Sequence, residues 1–300
     1  MSALGNYVVL ACGIGGIAWA ARCTTAVDPG VLREYADYVA SAEQAMSGRF
    51  DSGELAWVPD RESKQAAARL ASGHLVRWNL SDAALNRRLA AQNGTVIHWI
   101  GAIRIPGARL ADVKSVLGDY DRYARIYQPM VFESKAVRNG DGPPAVYDVT
   151  LGLHSAFRFA SLFPQHYAFQ VKGRIEDSSG ASLPEAALRV HLAASEIRES
   201  DSGVPGRTDF LEPYHDHGIM WALNAYWRAR PQGKDLYLEF ESITLARSVE
   251  EFACKIGFVP VPKAIVSAAM DSLPADCVTV ILEGTRAECE RRARLNLSGQ

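Results

Sequence analysis

The sequence has no long block of like charge. Its 32 Lys and Arg stand against 34 Asp and Glu, a formal net charge of -2. Such a balance offers no electrostatic footprint for nucleic acid or for an anionic membrane surface, and no nucleic acid is expected as a partner. Low-complexity tracts and internal repeats at solenoid periods are missing too. Among the five cysteines no C-x-x-C occurs, so neither a zinc ribbon nor a thioredoxin-type motif is supported. Cys277 and Cys289 would lie roughly 18 Å apart on one straight helix, too far to bridge. Reduced thiols are expected.

Catalytic motifs are scarce. There is no G-x-S-x-G and no H-E-x-x-H. The glycines of Gly13 to Gly16 sit in an apolar run and do not make a phosphate loop. His215-Asp216-His217 has metal-ligand spacing on a strand, but no third and fourth ligand lies near it in sequence. His98 and His191 are distant candidates, and a polar turn is the expected reading. Glu239 and Glu241 would share a strand face roughly 7 Å apart, usable for acid/base work only if buried. No catalytic residue, metal or cofactor is assigned.

What is present is ordinary globular composition, 48% hydrophobic and 22% charged, with enough apolar residues for a sizeable core. Residues 1–22 stand apart. Tyr7 to Ala21 is an uncharged, mostly apolar run, short for a membrane span of about 20 residues. It suits a signal peptide with Ala18-Trp19-Ala20 as the cleavage site, although no Lys or Arg precedes it. Export to the periplasm or beyond is expected. The alternatives are an uncleaved N-terminal anchor that holds the protein near a membrane, or a buried helix.

Residues 25–92 read as a helical annex. Asp28 and Pro29 open a helix with Val31, Leu32, Tyr35, Val39 and Met46 on one stripe. "ESKQAAARLASG" forms a second helix, and "HLVRWNL" alternates briefly like a strand. From Asn93 to about residue 296 the character changes. "TVIHWIGAIRIPG" alternates with Ile97, Trp99, Ile103 and Ile105 on one side. "ARLADVKSVLGDYDRYARIYQPM" reads as two short helices, broken near Gly118 and ended before Pro129. Six strand-like segments follow, the last two joined by the turn "PQGKD". Pro274 then sits near the start of a final helix, expected over 275–294. Val278, Ile281, Leu282 and Cys289 would face the sheet, and Arg286, Glu290 and Arg291 water. The pattern predicts an α+β fold, one curved antiparallel sheet with helices segregated to a face.

The candidate binding residues are aromatic. Tyr120, Tyr123 and Tyr127 are spaced for one helical face, as core packing or as a gate at a cavity mouth. On "GIMWALNAYWRAR", Ile219, Trp221, Leu223 and Trp227 share one parity, with Asn224, Tyr226 and Arg228 on the other. The polar parity is expected to be solvated or to pair with Glu239 and Glu241. Trp99, Tyr147 and Phe240 complete the set of candidate wall residues.

Five segments carry a resemblance: "IHWIGAIRIPGA" at 97–108, "LGDYDRYARIYQPMV" at 117–131, "GIMWALNAYWRA" at 218–229, "LYLEFESITLARS" at 236–248 and "SLPADCVTVILEGTR" at 272–286. With the order of elements, they resemble the helix-grip fold of the START-like, or Bet v 1-like, SRPBCC superfamily. Within it they look like a family of exported bacterial proteins. The resemblance implies a sheet gripping a long C-terminal helix with a cavity between them. It implies no single activity, because the superfamily includes lipid carriers, hormone receptors and cyclases. The expected function is non-catalytic binding or transport of a hydrophobic small molecule or lipid by a monomer in the bacterial envelope. The alternatives are a cyclase or aromatase acting in the same cavity, and an interaction module without a pocket.

Overall fold

The computed structural model describes residues 26–51, 63–159, 163–178, 187–248 and 263–298. The expected signal segment, Cys12, Cys23, Cys254 and Pro260-Val261-Pro262 lie outside the described residues. No described helix is long and apolar enough to cross a membrane.

Eight strands form one sheet: β1 (Val76–Asn79), β2 (Gly94–Ile105), β3 (Val131–Arg138), β4 (Ala145–Phe159), β5 (Phe163–Asp177), β6 (Leu188–Glu199), β7 (Ala222–Gln232) and β8 (Asp235–Arg247). Their order is β1-β2-β8-β7-β6-β5-β4-β3, and every pairing is antiparallel. From β3 to β8 the chain meanders. β2 does not pair with its successor β3 but with β8, so the sequence between them wraps the whole sheet. The "PQGKD" turn closes β7 onto β8, and Gly233 supplies its left-handed position at φ 63°.

Helices lie on both sides. α1 (Pro29–Asp51) starts where Asp28 accepts a hydrogen bond from the Gly30 N–H at 2.6 Å. α2 (Ser63–Ala71) follows. α3 (Ala83–Ala90) was not anticipated, although Asp82 is a strong start signal, accepting from the N–H groups of Ala84 and Leu85. The two expected short helices are α4 (Leu110–Leu117), ending at Gly118, and α5 (Tyr123–Ile126), joined by a 3-10 turn at Tyr120–Arg122. α6 (Lys263–Ser298) is the gripped helix. One expectation needs correction. α6 does not begin at Pro274 but runs through it; proline there removes one backbone donor and the helix continues on both sides. The brief strand expected in the 25–92 region is β1, which extends the main sheet against β2.

The inner face of the sheet packs against α6, α4 and α5. Its cluster includes Ile97, Ile103, Ile105, Leu192, Trp227, Phe240, Val278, Ile281, Leu282 and Cys289. The anticipated sheet-facing stripe of α6 is therefore correct. α1 and α3 cover the outer face, where Val31, Tyr35, Met46 and Leu89 meet Val96, Ile243 and Leu245. β2 and β8 are thus covered on both faces, and 10 of the last 11 residues of β8 are consecutive buried positions. The architecture is an α+β helix-grip fold with helices on the second face as well.

Candidate functional site

On the inner face the register aligns one row across six strands. Trp99 pairs with Ser242, Ser242 with Ala225, Ala225 with Leu192, Leu192 with Ile175 and Ile175 with Tyr147. Large rings stand at the two ends of this row, and small side chains occupy Ser242 and Ala225 near its centre. Gly173, paired with Ala194 at a bulge in β5 and β6, adds two more small positions. Beside the row Trp227 leans on Phe240 with ring centroids 4.9 Å apart. Leu223 faces the same side. Trp99 is held from the sheet edge by the Arg77 guanidinium, 6.0 Å from the ring centroid. Arg77 itself donates to Ala275 O at 2.7 Å and to Thr279 Oγ1 at 2.8 Å on α6. Three polar atoms of this region are buried without a hydrogen-bond partner among the described residues: Trp99 Nε1, Trp227 Nε1 and Ser242 Oγ.

The tyrosines form a chain of ring contacts that leads from the sheet to α6. Tyr147 meets Tyr120 at 4.8 Å, Tyr120 meets Tyr123 at 5.4 Å, and Tyr123 meets Tyr127 at 4.9 Å. Tyr123 donates to Leu117 O, and the Tyr127 hydroxyl sits 3.1 Å from Thr285 Oγ1 on α6. Burial pushes all three phenols well above their ordinary range. Tyr123 and Tyr127 are packed core residues with engaged hydroxyls, which is the core alternative of the two readings.

Trp221 does not join this set. The structure places it in the outer cluster with Val31, Tyr35 and Leu245, where its Nε1 donates to Asp216 Oδ1 at 2.9 Å. Parity failed because Trp221 precedes the strand: the chain turns at Gly218, φ 79°, and regular pairing starts only at Ala222.

His217 makes no metal site; among the described residues no three metal-binding side chains converge. Its Nδ1 lies 2.8 Å from Glu199 Oε1, and its backbone N–H donates to Glu199 Oε2 at 3.2 Å. Glu199 pairs with Phe169 of the inner cluster and is fully buried. Burial raises its carboxyl above the ordinary value, opposed by the hydrogen bond from His217. Sequence reasoning missed this pair, since 18 residues separate its members.

The outer face holds a buried charge network. Arg228 bridges Glu239 and Glu241, as the strand parity had suggested. Arg49 from α1 adds a contact to Glu241 Oε2 at 3.0 Å, and His98 Nε2 approaches Oε1 at 2.7 Å. Tyr38 closes the chain at His98 Nδ1, 2.8 Å away. Burial works to raise the Glu241 carboxyl, but the His98 hydrogen bond and the Arg228 and Arg49 charges outweigh it and hold it at about 2. A carboxylate so firmly ionised is a poor proton acceptor near neutral pH, which argues against acid/base work by the Glu239–Glu241 pair. Beside the network a cleft of about 270 Å³ opens between α1 and the sheet, lined by Glu43, Met46, Phe50, Arg189, His191 and Tyr226. Its polar groups engage one another: Tyr226 donates to Glu43 at 2.9 Å and stacks on His191 at 4.5 Å.

No family model matches the chain, and no curated protein matches its sequence. Solved structures do. The Zhui aromatase/cyclase from a Streptomyces species is 15% identical with a TM-score of 0.41, covering 66% of this chain and 96% of that one. A STAR-related lipid transfer protein fragment from Xanthomonas axonopodis is 13% identical with a TM-score of 0.39, covering 71% and 98%. A START superfamily protein from Mycobacterium smegmatis is 11% identical with a TM-score of 0.37, covering 65% and 97%. The fold assignment itself rests on the strand order and on α6 lying across the inner face.

Proposed function

We propose that this protein binds and carries a hydrophobic small molecule or lipid between the inner face of the sheet and α6, without chemical turnover. The observation that carries the reading is the inner row itself. Apolar and aromatic side chains line it, small residues lie near its middle at Ala225, Ser242, Ala194 and Gly173, and large rings stand at both ends. Small inward side chains between tall ones would leave room for a ligand there, and an apolar hollow with few polar groups is the usual form of a small-molecule site. The envelope setting is part of the same proposal, motivated by the apolar run Tyr7 to Ala21 and the Ala18-Trp19-Ala20 site.

A neutral hydrophobic dye, N-phenyl-1-naphthylamine, tests the reading. Delipidated protein should bind it saturably, at about one dye per chain. Ala225→Leu should fill the hollow and weaken binding at least tenfold while the protein stays folded. Absence of saturable binding, or an affinity indifferent to Ala225→Leu, would overturn it.

The buried Glu199–His217 pair favours a second, enzymic reading, because a histidine oriented by a carboxylate can move protons on a bound substrate. That reading requires turnover that His217→Gln abolishes while dye affinity persists.

A further inference from the structure

We infer that the molecule held on the inner face carries an uncharged hydrogen-bond-accepting oxygen, such as a ketone or ester carbonyl, that takes the free donors of Trp99, Trp227 and Ser242. The inference rests on the binding reading above and adds the chemistry of the ligand. Trp99 Nε1, Trp227 Nε1 and Ser242 Oγ are buried and lack any partner among the described residues. Trp227 and Ser242 are 5% and 2% exposed. An unpaired buried donor forfeits its hydration without a replacement, so one such group calls for an explanation and a cluster of them more so.

These groups are neighbours by register. Trp99 stands directly opposite Ser242 across β2 and β8. Trp227 stands opposite Phe240, two residues along β8 from Ser242 on the same face. Directly paired residues lie about 4.5–5.5 Å apart between Cα atoms, so the three side chains spring from one small patch. The surroundings do not supply an acceptor. Phe240, Leu223, Ala225 and Leu192 are apolar, and their backbone carbonyls lie in the sheet ladder.

The charge of the ligand follows from what accompanies the donors. The inward-facing positions of β2, β6, β7 and β8 hold no lysine or arginine, and the charged group among them is the acidic Glu199. Arg77, on β1 at the edge, is already engaged with Ala275 O and Thr279 Oγ1. A carboxylate or phosphate would arrive there without a counter-charge, which burial penalises heavily. Two indole N–H groups match the two lone pairs of a neutral carbonyl oxygen, and the Ser242 hydroxyl can share that oxygen or turn to a neighbouring one, such as the second oxygen of an ester. A pure hydrocarbon would leave all three groups unpaired.

Two probes of one shape separate these cases: 2-acetylnaphthalene, which has the carbonyl, and 2-isopropenylnaphthalene, which replaces its oxygen by a methylene. The expected result is that the ketone binds about tenfold or more tighter, although it is the less hydrophobic of the two. Trp227→Phe and Trp99→Phe keep a ring and remove one N–H each. Each should cut the ketone-to-alkene affinity ratio several-fold, and the double variant should cut it more than either. Ser242→Ala should reduce it further. The infrared carbonyl stretch of the bound ketone should lie below its value in hexane and move back toward it in the variants. If the double variant does not fold, the single variants decide. Equal binding of the two probes, or a ratio that the substitutions leave unchanged, overturns this inference and leaves the binding reading standing. Failure of both probes and of the naphthylamine dye to bind overturns both.

Discussion

His98 Nε2 lies 2.7 Å from Glu241 Oε1 beneath α1, on the outer face of the sheet. The contact ties β2 to β8 and, through Tyr38 and Arg49, ties both to the annex helix. Three side chains and a carboxylate that look surface-like in sequence thus form the seam between annex and sheet.

That seam should be sensitive to acid. The Glu241 carboxyl is held at about 2, below its ordinary 4.5. A depressed carboxyl contributes stability that is present above its unfolded pKa and lost as pH falls through the folded one. The loss should therefore run from about pH 4.5 to about pH 2, and be on the order of 3 kcal/mol. Glu241→Gln should be less stable than the parent at pH 7, again by roughly 3 kcal/mol, because Arg228 and Arg49 lose a buried partner. Urea unfolding across this range is the measurement. The parent and variant curves should converge toward pH 2, and parallel curves would reject the assignment.

Tyr127 bears on the choice between gate and core. It is fully buried and its hydroxyl engages Thr285. Tyr127→Phe should lower stability by about 1 kcal/mol, and Tyr127→Ala by roughly 3–5 kcal/mol. Neither change should alter naphthylamine affinity at temperatures where the variant is folded. A stable Tyr127→Ala protein with faster dye exchange would restore the gate.

Gly101 marks the closest approach of α6 to β2. A Cβ there would collide with Val278 Cγ1 and stand 3.0 Å from Leu282 Cδ1. Gly101→Ala should cost about 1–3 kcal/mol through overpacking. Adding Val278→Ala should recover part of the loss, a coupling that a double-mutant cycle in chemical denaturation would read. Simple additivity of the two changes would mean that the helix does not cross the sheet at Gly101.

Much of the fold was legible because its signals are local. Alternation placed Ile97, Trp99, Ile103 and Ile105 on one face of β2 and Asn224, Tyr226 and Arg228 on one face of β7, and the structure agrees. The stripe Val278, Ile281, Leu282 and Cys289 found the buried side of α6. Local signals also misled. Trp221 obeys the parity of Trp227 in sequence, yet the left-handed turn at Gly218 sends it to the other face. Pro274 looked like a boundary and is interior to α6.

By itself the sequence determined element types and strand parity, since both depend on periods of two and 3.6 residues that neighbours along the chain set. Only the tertiary structure decided which polar groups are partnered. Glu241 finds His98 143 residues away, and His217 finds Glu199 through a loop. Trp99, Trp227 and Ser242 come together, without hydrogen-bond partners among the described residues, because β8 inserts between β2 and β7. Pairing at such distances depends on strand order and register, and no local period encodes those.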